Sequence, residues 1–207
     1  MTIATDTRDD MGTGFLGSLI RKYRKDSGRR LDDRLAFYGR MGLREAIEKA
    51  GMALAPNLRR HPHQRRIKLS VLTEVRDRLL CQEKALSGSK SFDEVNATVE
   101  SCSVSGFGPV GVYDTALNIG AQLGLFPEKI YLHAGTRKGA RVLGLTASKD
   151  FLSREDLPTE LRDMEPYHIE NFLCIYKDDF LNASAPGQAV GDGCSSPGPR
   201  RRAGCAT

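Results

Sequence analysis

Residues 104–145, VSGFGPVGVYDTALNIGAQLGLFPEKIYLHAGTRKGARVLGL, place a glycine turn, an amphipathic run, a second glycine turn and a basic run end to end without filler. Val112, Ala116, Ile119 and Leu123 recur at the three- and four-residue spacing of one helical face, so 110–123 reads as a helix. Pro109 suits its first turn, where a missing N–H forfeits no bond. Gly106 and Gly108 let the chain reverse tightly and leave amides uncovered, and Phe107 between them can anchor the turn in a core. Uncovered amides at a helix start attract phosphate. Gly106, Gly108 and Gly111 also satisfy G-x-G-x-x-G, but a dinucleotide site needs a strand before the turn, and none is evident.

The flanking sequence is helical too. Phe15, Leu16, Leu19, Ile20 and Tyr23 share one face of a first helix, which begins near Thr13 and stops at Gly28. Residues 31–53 read as helix with a break at Gly39 and Gly42, and 68–86 as one helix carrying Leu72, Val75 and Leu79 inward. Ser91 with Glu94, and Ser153 with Asp156, are capping-box patterns ahead of apolar runs. Ile130 to His133 can be extended. The last helix spans 167–181, with Ile169, Phe172, Leu173 and Tyr176 inward and Glu165, Glu170, Asp178 and Asp179 as an outward acidic side. This predicts an all-α, mostly helical single domain over 13–181, with disordered ends at 1–12 and 182–207.

Charge bears on partners. The 207 residues hold 31 Lys and Arg against 26 Asp and Glu, a net +5 that is compatible with a polyanion. The densest basic window, PNLRRHPHQRRIKLS at 56–70, includes Arg65 and Arg66 and reads either as a phosphate-facing arm or as a solvated loop. His61 and His63 lack further ligands nearby, so no metal site is expected, and no cofactor motif is present. No run nears the roughly 18 apolar residues of a membrane span, and no secretion signal shows at the start. A cytoplasmic protein without membrane partners is the simplest expectation. Five widely spaced cysteines read as reduced thiols, with Cys81 and Cys174 as core residues.

The second turn supplies another candidate contact. Thr136 is a good N-cap, and Arg137 and Lys138 stand in the first turn that follows, with Arg141 one turn on. Cations oppose the helix dipole there unless an anion neutralises them, so the start of this helix is either a phosphate site or an exposed cap. His133, just before it, is either a proton carrier or a buried ring bonded to backbone.

FDEVNATVESCSVSGFGPVGVYDTALNI resembles the helix-hairpin-helix of the base-excision DNA glycosylases, and FPEKIYLHAGTRKGARVLGL resembles the segment that follows it in that family. The resemblance implies a helical DNA-backbone-binding scaffold, with its core at about 91–145, and a link to DNA repair. Some positions depart from the family. Thr115-Ala116 comes one helical turn late, no Lys lies between Gly108 and Asn118, and Leu132-His133-Ala134 occupies the place of the catalytic aspartate. Asp114 sits on the wrong side of the motif for that role, and the four-Cys iron–sulfur spacing is absent.

Three functions remain in play. The leading expectation is sequence-independent DNA-backbone binding through Gly106, Phe107, Gly108 and Gly111, the helix start at Thr136, Arg137, Lys138 and Arg141, and the window holding Arg65 and Arg66. A second is an enzyme acting on a nucleotide or phosphorylated small molecule, with His133 as proton carrier. The third is a protein-interaction module without a ligand.

Overall fold

The helical spacing at 110–123 marks the centre of the molecule. In the computed structural model, which describes residues 8–61 and 64–183, the chain is mostly helical. α7 (Pro109–Leu123) buries Val112, Tyr113, Ala116, Leu117 and Ile119, so apolar residues cover almost its whole circumference. Around it pack α2 (Arg29–Gly39), α3 (Leu43–Gly51) and α6 (Phe92–Ser101). α4 (Leu69–Cys81) lies on α3, and α5 (Glu83–Gly88) touches both α3 and α6. These six helices share one apolar cluster.

A second cluster joins α1 (Arg8–Tyr23), α8 (Ala134–Val142), α9 (Thr159–Arg162), α10 (Pro166–Tyr176) and α11 (Asp179–Ala183). It includes a short antiparallel pair, β1 (Ile130–Tyr131) and β2 (Phe151–Leu152), with Ile130 opposite Leu152. The α8–α10 contact is close, since a Cβ on Gly139 would stand 2.2 Å from the Leu173 carbonyl oxygen. The chain begins in this half, crosses to the other at residues 24–28 and returns after α7. Rings span the seam, with Tyr113 5.4 Å from Tyr131 and 4.8 Å from His133 between centroids.

Several boundaries differ from the sequence expectation. α1 starts at Arg8, ahead of Thr13, and α11 extends to Ala183; residues 1–7 and 184–207 of the expected disordered ends lie outside the described residues. Gly28 does not stop the first helix. Its φ of −61 is helical, and a π-turn (Arg24–Gly28) carries α1 into α2 while the Tyr23 ring lies against the bare Cα of Gly28. The helix expected over 68–86 bends at Gln82, and Leu86 is fully buried like Leu79. The closing helix likewise breaks between Tyr176 and Asp179. Cys81 is exposed rather than in the core, because two residues beyond Leu79 is about 200° around the helix from the buried stripe.

Ser91 forms its expected cap, its hydroxyl accepting from the Glu94 amide at 3.3 Å while the Glu94 carboxylate accepts from the Lys90 amide at 2.7 Å. Ser153 and Asp156 also form a capping box, around a 3-10 turn (Arg154–Asp156) that precedes α9. No described helix is long and apolar enough to cross a membrane.

Candidate functional site

The first helix start is open. Gly106, at φ +92, adopts a backbone that favours glycine, and Gly108 caps α7 in an extended conformation with no side chain to bond the first amides. Pro109 has no N–H, and the Val112 amide bonds Gly108 O at 3.1 Å, so the amides of Val110 and Gly111 are the ones left over. Gly106, Gly108 and Val110 are exposed. Phe107 is buried and anchors the turn as expected from its position between glycines. Gly111 has a different task, because a Cβ there would press on the Phe107 ring at 3.0 Å.

The second helix start is closed. His133, not Thr136, is the N-cap of α8, which begins two residues earlier than the sequence pattern places it. Thr136 is fully buried, and its hydroxyl donates to Glu170 Oε1 at 2.6 Å. The Arg137 guanidinium donates to the carbonyls of Ala147 and Lys149, both at 2.7 Å, and to Leu132 O and Asp150 Oδ1, both at 3.0 Å. Lys138 reaches Asp178 at 2.6 Å, whereas Arg141 is exposed. Arg65 and Arg66 are exposed and carry no ion pair among the described residues.

Between the two halves lies a cleft of ≈ 530 Å³. α7 contributes Val110, Tyr113, Asp114 and Leu117 to its wall, α10 contributes Glu170 and Cys174, and His133 stands where α8 begins. Two acids that the sequence reading set aside are therefore central. Asp114 is not on the wrong side: it faces the cleft, 13% exposed, because it follows Tyr113 around α7 toward α2. Glu170 does not belong to a solvated acidic side. It is half-buried, and what access it keeps is to the cleft.

The cleft is rich in groups with unused bonding capacity. Asp114 Oδ2 accepts from Gln64 at 3.0 Å, while Oδ1 has Arg34 at 3.8 Å, an ion pair beyond hydrogen-bond length. Arg34 Nε, Tyr113 Oη and His133 Nε2 are buried without a partner. Burial pushes the Glu170 carboxyl up to about 8, against the Thr136 hydrogen bond and helped by the nearby Asp114 charge. Burial, with Glu170 and Asp114 adding to it, pushes the Tyr113 phenol far above its ordinary value. The His133 imidazole is held below its ordinary value by burial, partly offset by Asp114. At neutral pH the cleft thus contains one carboxylate, one protonated carboxyl, a neutral phenol and a neutral imidazole. Among the described residues no three His, Cys, Asp or Glu side chains group as metal ligands.

A loop at 54–60, closed by the bridge of Leu54 to Arg60, forms one rim with Ala55, Pro56 and Asn57. Leu58 at its tip has φ 59 and is 60% exposed, an unusual conformation for a bulky residue. No family model matches the chain, and neither a curated protein nor a solved structure is similar to it.

Proposed function

We propose that this protein is a DNA-binding protein of the helix-hairpin-helix kind, which holds the phosphate backbone at Gly106 and Gly108 and admits a single base to the cleft. One observation carries the reading: the open turn and the cleft belong to the same helix. Gly108 caps α7, and Val110, Tyr113 and Asp114 line the cleft from its first two turns. A phosphate at the amides of Val110 and Gly111 brings its own nucleotide to the mouth of the cleft. Exposed Arg65 and Arg66 add charge on the polypeptide that also supplies Gln64 to Asp114. Leu58, held out into solvent beside the rim, suits insertion against a base stack. Arg137 and Lys138 take no part, since their charges are satisfied internally.

Fluorescence anisotropy with a labelled duplex at rising salt tests this. The expected result is binding at low salt that weakens steeply as salt rises. Absence of binding at low salt defeats the proposal.

The cleft also favours a second reading, an enzyme acting on a free nucleotide with His133 as proton carrier. Its support is the neutral imidazole with an uncommitted Nε2 beside Asp114. Thermal shift against nucleotides, with His133→Ala as control, separates the two: stabilisation by monomers without duplex binding selects the enzyme.

A further inference from the structure

The uncommitted groups of the cleft define an edge. Thr136 donates to Glu170 Oε1, so in the protonated carboxyl the proton resides on Oε2 and is offered to whatever occupies the cleft. The Tyr113 hydroxyl is buried beside the same two acids and bonds nothing. Arg34 Nε is a third donor without an acceptor. Against these stands one strong acceptor, Asp114 Oδ1, which no donor approaches within hydrogen-bond distance. Apolar surface from Leu31, Val110, Leu117 and Ile175 supplies flat contact around them. Water satisfies such groups at a cost that a complementary ligand recovers.

We infer that the cleft selects a planar ring bearing a lactam edge, a ring N–H beside a carbonyl, with Asp114 accepting the N–H and the donors Glu170 and Tyr113 serving the carbonyl. An amino-bearing ring fits poorly. Where a carbonyl is replaced by an exocyclic NH₂, donor faces donor, and where the ring nitrogen is unprotonated, it meets the Asp114 carboxylate. Among nucleobases this sets uracil and hypoxanthine, on the accepted side, against cytosine and adenine, from which they differ by that one exchange. The inference rests on the reading that a base enters the cleft, and it names the chemistry that the cleft prefers.

The groups facing Glu170 fix the direction of the pH dependence. Thr136 from α8, Asp114 and Tyr113 from α7, Arg34 from α2, His133 at the seam and Cys174 on α10 itself surround it or act on it electrostatically. Above the pH at which Glu170 ionises, its donor becomes a second carboxylate beside Asp114, and the preference for a carbonyl is lost.

The test uses the full chain and two matched nucleoside pairs, uridine with cytidine and inosine with adenosine, measured by calorimetry. The lactam member of each pair is expected to bind about tenfold more tightly, the effect of one buried donor left without an acceptor. Methylation at N3 of uridine, which removes the N–H, is expected to abolish the advantage. Tyr113→Phe deletes only the unpartnered hydroxyl and is expected to shrink it several-fold. Glu170→Gln keeps an N–H donor and is expected to preserve the preference at pH 9, where the natural protein loses it. Equal affinities within each pair, no binding of any of the four, or an advantage indifferent to both substitutions overturns the inference. Duplex anisotropy run alongside keeps the two ideas apart. Salt-sensitive duplex binding without nucleoside preference leaves backbone binding standing and removes the lactam edge, whereas the reverse outcome removes backbone binding alone.

Discussion

The first turn of α7 meets solvent, and the first turn of α8 meets α10. At α7, a Cβ built on Gly108 finds nothing within 4 Å, and no side chain caps the helix. At α8, Cys174 Sγ lies 2.6 Å from the Cβ position of Gly135, Thr136 is bonded to Glu170, and Arg137 ties together four oxygens of the chain. Both starts present glycine and a polar flank, yet only one has an unused surface. A glycine at a helix start serves a ligand or a neighbouring helix, and what stands across from it decides which.

The largest effect should come from Gly139→Ala. Its Cβ would overlap the Leu173 carbonyl, a backbone atom that moves only if α8 and α10 separate. Overpacking of this kind costs about 3 kcal/mol or more, and urea denaturation is expected to show it. A change near zero would mean that the two helices are not locked and that the contrast with α7 is overstated. Arg137→Ala follows, at about 2 kcal/mol, because it strips charged donors from carbonyls in and around a partly buried turn. The salt dependence of DNA binding should not change in that variant. A shallower slope would place Arg137 on phosphate instead of on its own chain.

On the open side, Gly108→Asp is informative because it opposes stability and binding. Gly108 has φ −84 and ψ 177, an N-cap geometry that Asp adopts readily, and its carboxylate suits the start of the helix dipole. Thermal stability should hold or rise slightly while duplex affinity falls about tenfold, through repulsion of phosphate. Unchanged affinity would remove the α7 turn from the interface.

The contrast explains what was legible in the sequence. Ser91 with Glu94 and Ser153 with Asp156 were readable because a cap is settled within four residues. The stripe on α7 was readable because its period is helical all along. Thr136 was misplaced as a cap because its partner, Glu170, comes from another helix 34 residues away. Glu170 and Asp114 looked outward because periodicity separates an apolar face from a polar one but does not tell solvent from a cleft wall. Gly28 read as a stop, since the signal for glycine as a terminator is the same as for glycine under a tyrosine ring.

Glu170 also makes the closed side sensitive to pH. Its carboxyl is raised from 4.5 to about 8 in the folded protein, so between those values the native state holds a proton that the unfolded chain has released. Stability should therefore be greatest below this window and fall as pH rises through it. Glu170→Gln should flatten that decline and leave the variant the more stable form at pH 8. A natural protein as stable at pH 8 as at pH 5 would show that Glu170 is solvated rather than enclosed.

The smallest effect is expected at Lys138, and it bears most directly on which helix start faces a ligand. Its bond to Asp178 joins two exposed side chains, 50% and 64% accessible, and such pairs contribute at most about 1 kcal/mol. Lys138→Ala should therefore leave the denaturation midpoint almost unmoved, and Asp178→Ala should do the same. Binding is the sharper measure. If Asp178 keeps Lys138 occupied, the Lys138→Ala variant retains the salt slope of the natural protein. If Lys138 leaves Asp178 for a phosphate, the slope drops by about one, and Asp178→Ala strengthens binding by freeing the ammonium. That pair of results would reopen the α8 start as a second contact, with Glu170 beneath it as filler and Lys138 above it as the reaching group.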